Sequence, residues 1–194
     1  MYPEMKMFTI GRNGELVVSV MMVRDSPLGR SVVSSPTLNV PDSPGAATGM
    51  KETLNAGGNI LLDRYVYSNI AYQCAKGSDS DEASALRDWI FNTEYGNFAL
   101  PEPDLNIFLD VPIGFVEAKL KSQRGGADRD YLDGAQDIHE ADIEFQKKVR
   151  DIYREQCALD PKFIRIDCSD QNGQMLPPDD IFAKIKEVVD NAIK

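Results

Sequence analysis

Several things are scarce in this chain of 194 residues, and each scarcity narrows what it can be. It has one histidine, His139, and three cysteines, Cys74, Cys157 and Cys168, widely spaced and without a CxxC pair. That supply suits neither a zinc site nor a disulfide scaffold, and the thiols read as reduced cysteines of a cytoplasmic protein. Basic residues number 21 against 31 acidic ones, a net charge of −10. A surface of that sign repels nucleic acid and anionic membranes, so neither is expected as a partner. No apolar run approaches the ~18 residues of a membrane-spanning helix. The opening MYPEMKMFTI lacks the charged-then-apolar layout of a secretory signal. What remains is an ordinary globular composition, 42% hydrophobic and 27% charged, enough for a single domain over 1–194.

The chain divides into two unequal parts. Residues 1–50 hold four acidic and four basic residues and five of the eleven prolines. Within them SVVSSPTLNVPDSPGAATG (31–49) has neither a period of 2 nor one of 3.6 and reads as irregular or disordered chain. Only LVVSVMMV (16–23) has the look of a buried strand there. Residues 51–194 are regular. NILL (59–62), LNIFLDV (105–111) and FIRIDCS (163–169) read as buried strands. Helices are expected over 50–56, stopped by Gly57-Gly58, over 81–94 with Leu86, Trp89, Ile90 and Thr93 inward, and over 113–122. A long one over 137–157 carries Ile138, Ala141, Phe145, Val149, Ile152 and Tyr153 on one stripe. A last one, capped by Asp180, turns Ile181, Ile185, Val188 and Val189 inward. Strands alternating with helices predict an α/β fold, a parallel sheet flanked by helices.

Four stretches carry chemistry. LLDRYVYSNIAYQ (61–73) puts an Asp-Arg pair where a strand ends, the place where open parallel sheets bind ligands. Arg64 offers a planar fork of donors for phosphate oxygens, and Asp63 can hold magnesium or its waters. Ser68, Asn69 and Gln73 can read the edge of a base, and the rings of Tyr65 and Tyr72 can stack on one. Taken alone, the pair is better explained by an ion pair capping a strand above a polar helix face. LPEPDLNIFLDVP (100–112) would supply a second edge of the cleft. SQRGGADRDYLDGAQDIHEADIEF (122–145), a glycine-rich, charged segment with Arg124 and Arg129 that leads into the long helix, reads either as a solvated acidic loop or as a lid that brings arginines onto a phosphoryl group. IDCSD (166–170) leaves a strand for a loop where a purine could rest.

Together these stretches resemble the thymidylate kinase family, in the form found in Bacteroides-like bacteria, from about Met50 onward. The resemblance implies a three-layer P-loop-kinase fold and a nucleoside monophosphate kinase that moves the terminal phosphoryl group of ATP to dTMP, with Mg2+. The family is usually homodimeric. Carried over by motif, Arg64 would bind the dTMP phosphate, and Asp63 would position that phosphate and the metal. Ser68, Asn69 and Gln73 would face thymine, and Tyr72 would line the nucleoside pocket. Arg124 and Arg129 would neutralise charge during transfer. One part of the family pattern is missing: no G-x-x-x-x-G-K-[ST] occurs. Its nearest trace is RDSPLGRS (24–31), where Gly29, Arg30 and Ser31 would take the G-K-S places beside ATP. Arg24 stands where the first glycine should be, and Pro27 removes a donor. A second register reads VRDSPLGR as a worn form of the family's second-strand motif, in which an arginine approaches dTMP. Ser31 and Asp63 are 32 positions apart (63 − 31), fewer than the family allows between its phosphate loop and the DRY motif. The sequence therefore also admits a non-catalytic remnant that binds dTMP at most.

Overall fold

The computed structural model describes residues 18–22, 32–35, 44–57, 59–77, 79–123 and 135–192. Five strands form one sheet in the order β2-β3-β1-β4-β5. They are β1 (Val18–Met22), β2 (Val32–Ser35), β3 (Asn59–Asp63), β4 (Leu105–Asp110) and β5 (Phe163–Asp167). The helices are α1 (Pro44–Asn55), α2 (Val66–Cys74), α3 (Ser80–Phe91), α4 (Ile113–Gln123), α5 (Ala135–Leu159) and α6 (Pro178–Ala192), with a π-helical turn over Asn92–Asn97 continuing α3. All six residues of β4 are buried, so both of its faces are covered. Helix α5 packs on β4 and β5 through Tyr153, whose ring stacks on Phe108 and meets Phe163 edge-on. Helix α6 packs on the same two strands.

Within the hydrophobic run at 16–23, Val18–Met22 forms the central strand, but its direction departs from expectation. β1 runs antiparallel to both neighbours, Met22 opposite Ile60 of β3 and Val18 opposite Phe108 of β4. β2–β3 and β4–β5 are parallel, so the sheet is mixed rather than all parallel. A continuous apolar run encodes burial on both faces and not polarity. The consequence is topological: the chain leaves β1 at Met22 beside the start of β3, the end of the sheet opposite Asp63.

Three further readings need correction. Residues 31–49 are not wholly irregular. Val32–Ser35 pairs with β3 as an edge strand, where β-branched residues suit the pleat. Helix α1 begins at Pro44, proline fitting a first helical position because it has no N–H to leave unpaired. Trp89 is not inward but 63% exposed. α3 turns Ala83, Leu86 and Ile90 to the core, and the position before Ile90 is rotated off that stripe. Asp180 lies inside the first turn of α6, its N–H donating to Pro177 O. With Asp179 it suits the positive end of the helix dipole rather than capping it. The α5 and α6 stripes hold where described: Val149, Tyr153, Ile181, Ile185 and Val189 are buried, and Phe145, Ile152 and Val188 pack against the core.

Two polar ties hold α5, one to the sheet and one to α2. Asp110, 1% exposed, accepts from Arg150 Nε at 2.5 Å, Arg154 at 2.9 Å and Arg165 Nε at 3.0 Å. Further along, just beyond the C-terminus of α5, Tyr67 Oη of α2 donates to Asp160 Oδ2 at 2.5 Å. Removing the charge of Asp110 would leave three guanidinium groups around a neutral amide. Asp110→Asn is expected to cost about 3 kcal/mol, the low end for a broken buried pair because the outer two arginines reach solvent. Read by circular dichroism, that is a fall in Tm of about 10 °C for a chain this size.

The three cysteines are free, and burial pushes the Cys157 and Cys168 thiols up to about 12, with Cys74 raised for the same reason. A folded-state value above the unfolded one stabilises fully below the unfolded pKa of ~9 and loses its effect as pH rises from there towards 12. Urea titrations across that window are expected to show falling stability, and native Cys168 is expected to resist alkylation at pH 8.

Candidate nucleotide-acceptor site

The site is built where β3 ends. Asn59, Ile60 and Leu62 are buried, and the strand delivers Asp63 to the surface as its last residue. The next residue, Arg64, takes φ 69°, a left-handed backbone that an L side chain adopts only at a cost. That turn lets the chain reverse into α2 immediately and folds the Arg64 side chain back along the helix. Its Nε donates to Ser68 Oγ at 2.7 Å. Its guanidinium carbon lies 4.4 Å from the centre of the Tyr72 ring, a cation–π contact. Ser68 and Tyr72 fall four and eight positions after Arg64, one stripe of α2. Tyr72 in turn meets Phe145 of α5, ring centres 6.0 Å apart.

The other polar groups of α2 diverge. Asn69 Nδ2 donates to Glu94 Oε1 at 3.3 Å. Gln73 is exposed, and its Oε1 accepts from Lys76 Nζ at 3.0 Å. Tyr65, the residue ahead of α2, is buried and donates to Pro101 O at 3.1 Å, tying α2 to the LPEPD turn. Burial first, and then the Glu94 charge, raises the Tyr65 phenol well above its ordinary value, so it stays a donor. The structure thus gathers Arg64, Ser68 and Tyr72, sets Asn69 on Glu94, and turns Gln73 to an exposed lysine. Arg124, Arg129, Gly29, Arg30 and Ser31 lie outside the described residues.

Glu94 and its turn escaped the sequence reading. The acid is buried, 8% exposed, within the π-helical turn. The turn is closed by Phe98 N–H to Thr93 O and Leu100 N–H to Glu94 O. A π-turn widens the helix by one residue and re-aims side chains, often where a helix meets a site. The available signal was an acid four positions after Ile90 on the inward stripe.

A second concavity lies beyond β5. An open hollow of about 550 Å3 is lined by Ser169, Asp170, Asn172, Leu176, Asp180 and Lys184. Asp167 shapes its rim by accepting from both Ser169 N–H and Ser169 Oγ, which holds its carboxyl below the usual range. Lys184 Nζ donates to Asp167 O at 2.6 Å. No three carboxylate, thiol or imidazole groups cluster as a metal cage among the described residues. No described helix is long and apolar enough to cross a membrane.

The family model of thymidylate kinase matches residues 45–176, well over half of the chain. The chain belongs to the thymidylate kinase family. It is 37% identical over 109 residues to a thymidylate kinase of Dictyostelium discoideum, covering 56% of this chain and 39% of that one. It is 32% identical over 131 residues to the enzyme of Mycobacterium tuberculosis (strain H37Rv), 68% and 59%. Against that of Arabidopsis thaliana it is 31% identical over 145 residues, 75% and 43%. The chain thus spans between 39% and 59% of the length of these thymidylate kinases. Family membership brings with it the P-loop-kinase class of α/β fold.

The strained turn yields a prediction that separates backbone from side chain. Arg64→Gly and Arg64→Ala both delete the guanidinium, but only glycine accepts φ 69° freely. The glycine variant is expected to be the more stable of the two by about 1 kcal/mol in urea denaturation.

Proposed function

We propose that this chain acts in the transfer of the terminal phosphoryl group of ATP to dTMP, giving dTDP and ADP, and that the described residues form the dTMP-accepting half of the site. The observation that carries the reading is Arg64, held by Ser68 and Tyr72 at the carboxyl end of β3 in a chain of the thymidylate kinase family. Nε stays on Ser68 in this reading and the terminal nitrogens turn to the phosphate, a fork suited to bidentate recognition. In this reading Ser68 orients the arginine rather than facing thymine, and Tyr72 supports it from beneath. Asn69 is left on the base side, with Tyr65 and the LPEPD turn as the far wall.

Phosphoryl transfer is mostly positioning and charge stabilisation. Magnesium is usually held by one or two carboxylates together with substrate phosphates. The exposed carboxylate of Asp63 at the strand end fits that role. When bound there, the ion supplies charge neutralisation at the phosphates. Arg124 and Arg129 would add positive charge to the transferring group. The hollow between Ser169 and Lys184 is of a size and openness to receive the purine of ATP.

A second reading, dTMP binding without transfer, draws support from two observations. The sequence has no G-x-x-x-x-G-K-[ST], and β1 delivers Met22 to the end of the sheet opposite Asp63. In that case Gly29, Arg30 and Ser31 do not cradle ATP phosphates. Two measurements on the folded full chain separate the readings. Calorimetry is expected to show dTMP binding, weakened about 10–100-fold in Arg64→Ala, the loss of one charge-assisted bond at about 1.5–3 kcal/mol. A coupled assay is expected to show ADP release that depends on dTMP. Binding without ADP release would overturn transfer and leave the second reading standing. Failure of dTMP to bind would overturn both.

A further inference from the structure

We infer that Glu94 sets the base specificity of the acceptor site by fixing which way the Asn69 amide faces. The inference rests on the dTMP-acceptor reading given above. An asparagine amide offers a donor on one lobe and an acceptor on the other, and a half-turn about its last bond exchanges them. In an open polar site both orientations are available, and the residue then discriminates poorly between bases.

Here the choice is removed. Glu94 is a carboxylate, an acceptor only when ionised. It is 8% exposed and built into a π-helical turn whose C-terminal side is closed by two backbone hydrogen bonds. Asn69 Nδ2 donates to it at 3.3 Å. The flipped amide would set Oδ1 against the buried carboxylate, acceptor against acceptor, which a half-buried contact relieves only in part. Oδ1 is therefore the lobe offered on the opposite side. An acceptor fixed at that place favours a pyrimidine whose ring nitrogen carries N–H, as thymine and uracil do at N3. It disfavours cytosine, whose N3 is a bare acceptor. Glu94 touches no substrate in this account: it is a positioning residue acting through Asn69.

The test is binding of dTMP, dUMP and dCMP by calorimetry to the full chain and to Glu94→Gln, Asn69→Ala and the double variant. A carboxamide at 94 both donates and accepts, so either orientation of Asn69 becomes tolerable. The preference for dTMP over dCMP is expected to fall about tenfold in Glu94→Gln, the worth of one hydrogen bond in specificity. The preference for dTMP over dUMP should stay unchanged, because both carry N3–H. In the Asn69→Ala background, Glu94→Gln should no longer alter the ratio. An unchanged dTMP:dCMP ratio in Glu94→Gln, or equal weakening of all three ligands, would overturn the inference and leave Glu94 a structural acid. Should Glu94→Gln fail to melt cooperatively, Asn69→Ala decides: retention of the full ratio there overturns the inference as well. Failure of the unsubstituted chain to bind any of the three would overturn the acceptor reading itself, and the inference with it.

Discussion

A buried carboxylate holding three arginines is the constraint on which the rest of this structure depends. Asp110 closes β4 and takes Arg150 and Arg154 from α5 and Arg165 from β5. Isolated, such a group would be too costly to bury. Surrounded by charge-assisted donors, it becomes the point that fixes the rotation and height of α5 over the sheet. Two of the three arginines lie one turn apart on α5, so the helix can neither roll nor slide without breaking a bond to Asp110. The aromatic layer of Phe108, Tyr153 and Phe163 fills the space beneath. The setting of α5 matters beyond the core because Phe145, on the same helix, buttresses Tyr72, and Tyr72 lies under Arg64. The path from the hub to the guanidinium at the end of β3 thus runs along α5 and through the contacts of Phe145 with Tyr72 and of Tyr72 with Arg64.

The acceptor side is assembled by two local departures from regular structure. One is the left-handed Arg64, which reverses the chain within a single residue and lays the side chain along α2. The other is the π-helical turn that carries Glu94 inward to Asn69. Both are costly conformations that a fold retains only where neighbouring contacts over-determine them. Here those contacts are Ser68 and Tyr72 for the first, and Phe98 and Leu100 N–H groups for the second.

Much of this was legible in the residues, and the parts that were not share a physical cause. Strands β3, β4 and β5 stood out as apolar runs, and the stripes of α5 and α6 as helical periodicity, because burial writes itself directly into hydrophobic pattern. Arg64 was legible as a phosphate-type group because its residue type and its place at a strand end are both local facts. The direction of β1 was not, since an apolar run reads alike from either end. The edge pairing of Val32–Ser35 depends on β3, whose partner residues lie 27 positions away in register (59 − 32). Trp89 was misplaced because two helical stripes one residue apart look equally apolar when a tryptophan sits on the wrong one. Glu94 was missed because a π-turn changes which side chains face inward, and nothing in local propensity announces it. The partners of Ser68 and Gln73, an arginine and a lysine, were present in the sequence. Which polar groups would choose each other over a ligand is a matter of rotamers.

The central claim is that the end of β3 receives a nucleoside monophosphate through Arg64. A crystal structure of the full chain soaked with dTMP tests it most directly. The account predicts a phosphate oxygen within hydrogen-bonding distance of the Arg64 terminal nitrogens, with Nε still on Ser68 and the pyrimidine edge against Asn69 Oδ1. A phosphate bound elsewhere, or an Arg64 side chain swung off Ser68 and Tyr72 to face solvent while dTMP is bound, would contradict it.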